Sequence, residues 1–305
     1  MPEKKVVQLA QLVDSSDPEK VIEEVLRVFY YHYSEDSALR VRLAFSQVRS
    51  LFAGEFPGYR ECLAEYHDFN HTMSVLLAAA RLLDGYNVER VFLTEELAIQ
   101  LFLAALLHDT GYIQEEWDTE GTGAKYSRQH EQRSIEFLER HAGVFEIEDP
   151  EIVPITRLIQ STDLKTDFAM IAFPSEQEQD TGAILGSADI LGQMSDRAYL
   201  EKLLFLYHEF REAGIPGYET EFDILKKTRD FYEAVKGRLR DTYLHVFELA
   251  HHHFRERYEV NQNLYIVAVD RQMAYLDRII DDQTTNFRHK LKRGDQARLH
   301  ERQAG

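Results

Sequence analysis

A chain of 305 residues with 44% apolar composition can bury a substantial core, and a formal charge of −18 disfavours long-range attraction to nucleic acid or anionic lipid, which depends on a basic surface. The lone cysteine, Cys62, excludes an intrachain disulfide and a zinc site built on thiolates, so any metal must be held by histidines and carboxylates. No run reaches the roughly 18 apolar residues of a membrane span and the N-terminus lacks the pattern of a cleavable leader, which makes a cytoplasmic protein with no membrane partner the expectation.

Apolar residues recur at spacings of three and four in nearly every long segment, and alternating β-branched runs are almost absent. The expected fold is therefore all-α, a multi-helix bundle. Residues 1–60 read as a helical lead-in packed on the body, opening at Asp17-Pro18 ahead of VIEEVLRVFYYHY. Residues 61–286 read as one helical body. Within it, helices are expected after Thr94, Ser127, Asp149-Pro150-Glu151 and Ser195-Asp196, each of which offers an acceptor or a fixed φ to the first unpaired amides. Stops are expected at Asp84-Gly85-Tyr86-Asn87, Gly111, Gly143 and residues 214–217. Polar stretches at 114–126 and 163–180 read as mobile loops. Residues 287–305 form a basic tail with six Lys or Arg against two acids.

Residues 66–83, YHDFNHTMSVLLAAARLL, place His67 and His71 four apart, so both rings lie on one face of a helix or of the turn leading into it. Downstream, the apolar helix LAIQLFLAALL ends in His108-Asp109. Burying such a pair costs several kcal/mol unless something compensates it, and a divalent cation would. His130 at the start of an amphipathic helix, and Asp189 among the small residues of GAILGSADILGQM, meet the same requirement. His32 and His208 lack partners at helical spacing, and His251-His252-His253 points three ways round a helix, as a solvated surface would.

The ordered set His71, His108-Asp109, Asp189 resembles the HD superfamily of metal-dependent phosphohydrolases. YHDFNH, LIQSTDL and SADILGQM further resemble segments of the catalytic domain of cyclic nucleotide phosphodiesterases, with Asp68 in place of that family's asparagine. The resemblance implies one or two divalent ions (zinc, manganese, iron or magnesium), held by His71, His108, Asp109 and Asp189. Asp109 would bridge to a second ion that His130 helps to hold. Cations sharing a water would lower its pKa and neutralise phosphoryl oxygens, while His67 acts as general acid, oriented by a carboxylate such as Asp68 or Asp163. RQMAYLDRI, laid on the family's glutamine stretch, puts Gln272 where a base is read and Tyr275 where it is stacked, though both also fit ordinary helix packing. The implied activity is hydrolysis of a small phosphate ester, a cyclic nucleotide diester first. A nucleotide phosphomonoesterase and a non-catalytic metal-binding regulatory domain are the alternatives, and a homodimer stays open.

Overall fold

Helix α1 (Pro18–Phe29) starts where the sequence supplies a cap: Asp17 accepts the backbone N–H of Glu19 at 3.1 Å, and Pro18 brings a helical φ without an N–H to satisfy. The same logic opens α2 (Glu35–Phe52) behind Ser34, α3 (Phe69–Glu89) behind Asp68 and α4 (Glu95–Leu107) behind Thr94. Such a cap contributes on the order of 1 kcal/mol. Helix α5 (His130–His141) follows Gln129 without a side-chain cap, because the Ser127 hydroxyl donates to the Ala124 carbonyl at 2.6 Å instead. In α6 (Asp149–Gln160), Glu151 reaches back to the N–H of Glu148 at 3.0 Å. Then come α7 (Glu176–Met194), α8 (Tyr199–Glu212), α9 (Glu221–Gly237), α10 (Ala250–Tyr258), α11 (Leu264–Asp281) and the short α12 (Phe287–Lys290). The computed structural model describes residues 7–282, 284 and 286–291, and among these the fold is all-α, with no strand and one isolated bridge between Tyr59 and Glu115. Residues 292–305 of the basic tail lie outside the described residues.

Helix α3 is the axis of the bundle. It is buried almost continuously from His71 to Asn87 and packs against α7, α1, α10 and α4. Helix α1 covers α3 while α2 covers α4, and one apolar cluster runs from Val21 through Leu276, so the lead-in has no core of its own. Two glycines set the close approaches. A Cβ at Gly192 of α7 would lie 2.9 Å from the Ser74 carbonyl carbon of α3, and one at Gly85 would lie 1.9 Å from the Leu249 carbonyl oxygen. Gly85 is thus a packing glycine, and α3 runs through the stop expected at 84–87 and ends at Glu89.

Several further expectations change in three dimensions. The segment 114–126 is tied down, since Asp118 accepts from Lys125 at 2.5 Å and from the Tyr126 hydroxyl at 2.6 Å. The segment 163–180 contains a short helical turn at Phe168–Met170 and the first residues of α7. His253 is fully buried, not solvated: its Nδ1 lies 2.6 Å from Asp84 Oδ2 of α3. His32 Nε2 meets Asp84 Oδ1 at 2.6 Å, and Arg257 Nη2 donates to that oxygen at 2.7 Å. The three groups satisfy a carboxylate that would otherwise be buried unpaired, which fixes α10 and the turn after α1 to α3. His208 stays at the surface, 3.7 Å from Glu221. Among the described residues no helix is long and apolar enough to cross a membrane.

Candidate metal centre and the cavity beside it

Four segments deliver the chemistry-bearing side chains to one place. The first turn of α3 brings His71, the end of α4 brings His108 and Asp109, the start of α5 brings His130, and the middle of α7 brings Asp189. His71 Nε2 lies 3.2 Å from Asp109 Oδ2 and 3.3 Å from Asp189 Oδ1, and His108 Nε2 lies 3.3 Å from Asp109 Oδ2 and 3.9 Å from Asp189 Oδ1. Donor atoms of His71, His108 and Asp109 all fall within 4.8 Å of one another. His130 Nε2 approaches the other Asp109 oxygen, Oδ1, at 3.5 Å, so Asp109 faces both groups.

Three observations fit this set to a divalent cation. Ligands bonded to one ion at about 2.1 Å and near-tetrahedral or octahedral angles stand roughly 3.0–3.4 Å apart, which matches the closer pairs here. His108 Nδ1 faces the Ala105 carbonyl at 2.9 Å; donating its proton there leaves Nε2 as a bare lone pair aimed at the centre. That Nε2 and Asp109 Oδ2 are both buried without a hydrogen-bond partner, which a folded protein tolerates only when something else meets them. The potential agrees in sign. Burial works against a charged His71, yet Asp109 and Asp189 outweigh it and push the imidazole up to about 10. Burial alone dominates at His130, which is held down at about 4 and so is neutral and able to ligate.

His67 stands beside this group with a different set of contacts. Its Nδ1 lies 2.6 Å from Glu209 Oε2 on α8, and Glu209 Oε1 accepts the backbone N–H of Tyr66 at 2.8 Å. The ring stacks on Tyr112 with centroids 4.3 Å apart at 10°, and Tyr112 also stacks on His130 at 4.5 Å. His67 is therefore clamped in angle as well as position. The orienting carboxylate is Glu209 and neither of the two expected. Asp68 is spent on the cap of α3, accepting the His71 N–H at 2.9 Å, and Asp163 accepts the Lys165 N–H and the Thr166 hydroxyl, each at 2.8 Å. Glu209 and Tyr112 were missed because their roles depend on contacts 142 and 45 residues away in sequence.

The centre opens into a cavity of about 700 Å³. It is lined at the centre by His67, His71, Asp109, His130, Asp189 and Glu131, and Arg128, Asp163 and Lys165 also line it, with the Arg128 guanidinium donating to the Gly214 carbonyl at 2.9 Å. Burial pushes the Glu131 carboxyl up to about 7. Gln193 links the walls: its Nε2 donates to Asp189 Oδ1 at 3.4 Å while its Oε1 accepts the Tyr66 hydroxyl at 2.8 Å. Gln272 and Tyr275 do not line this cavity. The Gln272 amide donates to the carbonyls of Asp196 at 2.6 Å and Arg197 at 3.1 Å, and the Tyr275 hydroxyl donates to the Lys290 carbonyl at 2.5 Å. These bonds hold α11 to the start of α8 and to α12, which corrects their expected role in reading a base.

Fold and site together define an all-α protein with a buried His and Asp centre that opens onto a large cavity. The chain belongs to the Npun_R2479-like family, which it matches over residues 56–268. That span holds every residue of the centre together with Glu209, and it excludes Gln272 and Tyr275. No curated protein matches the chain.

Proposed function

We propose that this protein is a metal-dependent phosphohydrolase of the HD type. The observation that carries the reading is the convergence of His71, His108, Asp109 and Asp189, two of whose buried donor atoms have no other partner, beside an imidazole that a carboxylate holds in place. His71, His108, Asp109 and Asp189 would hold a first ion, with Asp109 and His130 contributing to a second. A divalent cation held there supplies Lewis-acid charge to phosphoryl oxygens and lowers the pKa of a water toward neutrality.

The chain's own residues account for the rest of the chemistry. The inner end of the cavity carries four carboxylates, Asp109, Glu131, Asp163 and Asp189, so an anionic substrate needs compensating charge at this end. Arg128 and Lys165 add cationic charge from the cavity wall. His67 donates its Nδ1 proton to Glu209 and has only the Tyr112 hydroxyl, 3.5 Å away, at Nε2, so its imidazolium can protonate a departing alkoxide as general acid. Glu209 orients the ring through that bond, and the stacked Tyr112 ring limits rotation about the side chain.

A phosphate monoester fits better than a cyclic nucleotide diester. The diester reading drew in part on Gln272 and Tyr275, whose amide nitrogen and hydroxyl donate to backbone carbonyls elsewhere, while Lys165 on the cavity wall suits the extra charge of a monoester dianion. The test is turnover of p-nitrophenyl phosphate and of bis(p-nitrophenyl) phosphate by protein loaded with zinc or manganese. Monoester hydrolysis that disappears in Asp109→Ala is expected. Absence of turnover with either ester and either metal would favour the non-catalytic alternative.

A further inference from the structure

The outer half of the cavity has a different character from its metal end. Helices α8 and α9 and the loop between them line it with Leu203, Leu206, Phe210, Ile215, Ile224 and Phe231. Polar side chains on this wall are already committed. The Thr228 hydroxyl donates to the Ile224 carbonyl at 2.8 Å, Tyr199 hydrogen-bonds Thr228, and Lys227 donates to the Gly217 carbonyl with its ammonium over the Tyr218 ring at 4.3 Å. The Tyr218 hydroxyl is the one further side-chain polar group that α8, α9 and their loop bring to this wall among the described residues. One hydroxyl cannot match the several donors and acceptors of a ribose or a base edge, and hydroxyls left unpaired against such a wall would bind poorly.

We infer that the alcohol half of the substrate is apolar: the protein takes a phosphate monoester of an alkyl or similarly hydrophobic alcohol, with no sugar. This deepens the phosphohydrolase reading and rests on it. Charge complementarity fixes the direction of binding. The phosphate faces the metal ligands, and the hydrocarbon lies along α8 and α9. A cavity of about 700 Å³ is the size of a whole small-molecule site and far larger than a phosphate group alone needs. His67 sits between the two halves, beside Tyr66 and Tyr112, where the ester oxygen that joins phosphate to hydrocarbon would lie.

The experiment measures kcat/KM of the metal-loaded protein on ethyl, butyl, hexyl, octyl and decyl phosphate, and on ribose 5-phosphate and AMP. In parallel, calorimetry follows binding of ethylphosphonate and decylphosphonate, which cannot be hydrolysed. Each added methylene should raise kcat/KM by about 2- to 4-fold until the compartment is filled, with both sugar phosphates below hexyl phosphate. Phe231→Ala should lower the decyl-to-ethyl ratio by about 10-fold, and decylphosphonate should bind wild type more tightly than ethylphosphonate by a similar trend. Turnover with no dependence on chain length, or with sugar phosphates preferred, would overturn this inference and leave the hydrolase reading standing. Binding that strengthens with chain length, without turnover of any ester, would overturn the hydrolase reading and leave the apolar compartment standing.

Discussion

Replacing Glu209 by glutamine tests how His67 works with very little change in shape. Glu209 Oε1 would still accept the Tyr66 N–H, now at 2.8 Å, but the atom 2.6 Å from His67 Nδ1 would become an amide NH₂ that donates. His67 would then have to carry its neutral-form proton on Nε2, and the carboxylate that accepts from Nδ1 would be gone. General acid catalysis contributes about 100- to 10,000-fold, or roughly 3–5 kcal/mol of barrier. Glu209→Gln should lose most of what His67→Ala loses, about 100-fold or more in kcat on an alkyl phosphate. On p-nitrophenyl phosphate, whose leaving group departs as a stabilised anion, both variants should lose less than about 10-fold. Metal content should be unchanged in both, since neither side chain is among the proposed ligands. In the His67→Ala background, Glu209→Gln should add almost nothing, because the two groups act as a unit. Equal losses on alkyl and p-nitrophenyl substrates, or additive losses in the double variant, would refute the general-acid assignment.

Other consequences follow from single contacts. Gln272→Ala should leave KM for any nucleotide or alkyl phosphate unchanged and lower stability by about 1–2 kcal/mol in urea unfolding, the worth of two bonds to the Asp196 and Arg197 carbonyls. Asp84→Asn should cost about 3–5 kcal/mol, because it leaves His32, His253 and Arg257 without their shared carboxylate. Burial opposes ionisation of Asp84, but those partners outweigh it and hold the carboxyl well below its usual range. A depressed carboxylate contributes stability that is complete above its unfolded pKa near 4 and fades as pH falls below it, so the gap between wild type and Asp84→Asn should narrow from about pH 4 downward. Gly85→Ala gains about 1 kcal/mol of helix propensity, yet its methyl would stand 1.9 Å from the Leu249 carbonyl oxygen, so a net loss of about 1–3 kcal/mol and a lower urea midpoint are expected.

The helical architecture was legible because its signals are local. Caps at Asp17 and Thr94 act within three residues, and apolar spacing needs only a turn or two of context. The centre was legible for a related reason: His108-Asp109 at the end of an apolar helix, and Asp189 among glycines, are costly placements wherever the chain goes. What stayed hidden was decided by tertiary pairing. Gly85 looks like a helix stop until Leu249 is packed on it, and His253 looks solvated until Asp84 appears 169 residues away. Glu209 is one more acid on an amphipathic helix until it meets His67. Gln272 failed in the opposite direction, since a plausible position along a helix does not say which neighbour its amide will meet.

Metal uptake tests the central claim most directly. Protein stripped with a chelator and dialysed should take up at least one equivalent of zinc or manganese by calorimetry and elemental analysis. His108→Ala and Asp109→Ala should weaken the tightest site by about 100-fold or abolish it, whereas Gln272→Ala should not affect it. Folded wild-type protein that binds neither metal, or that binds with the same stoichiometry and affinity in all three variants, would contradict the account.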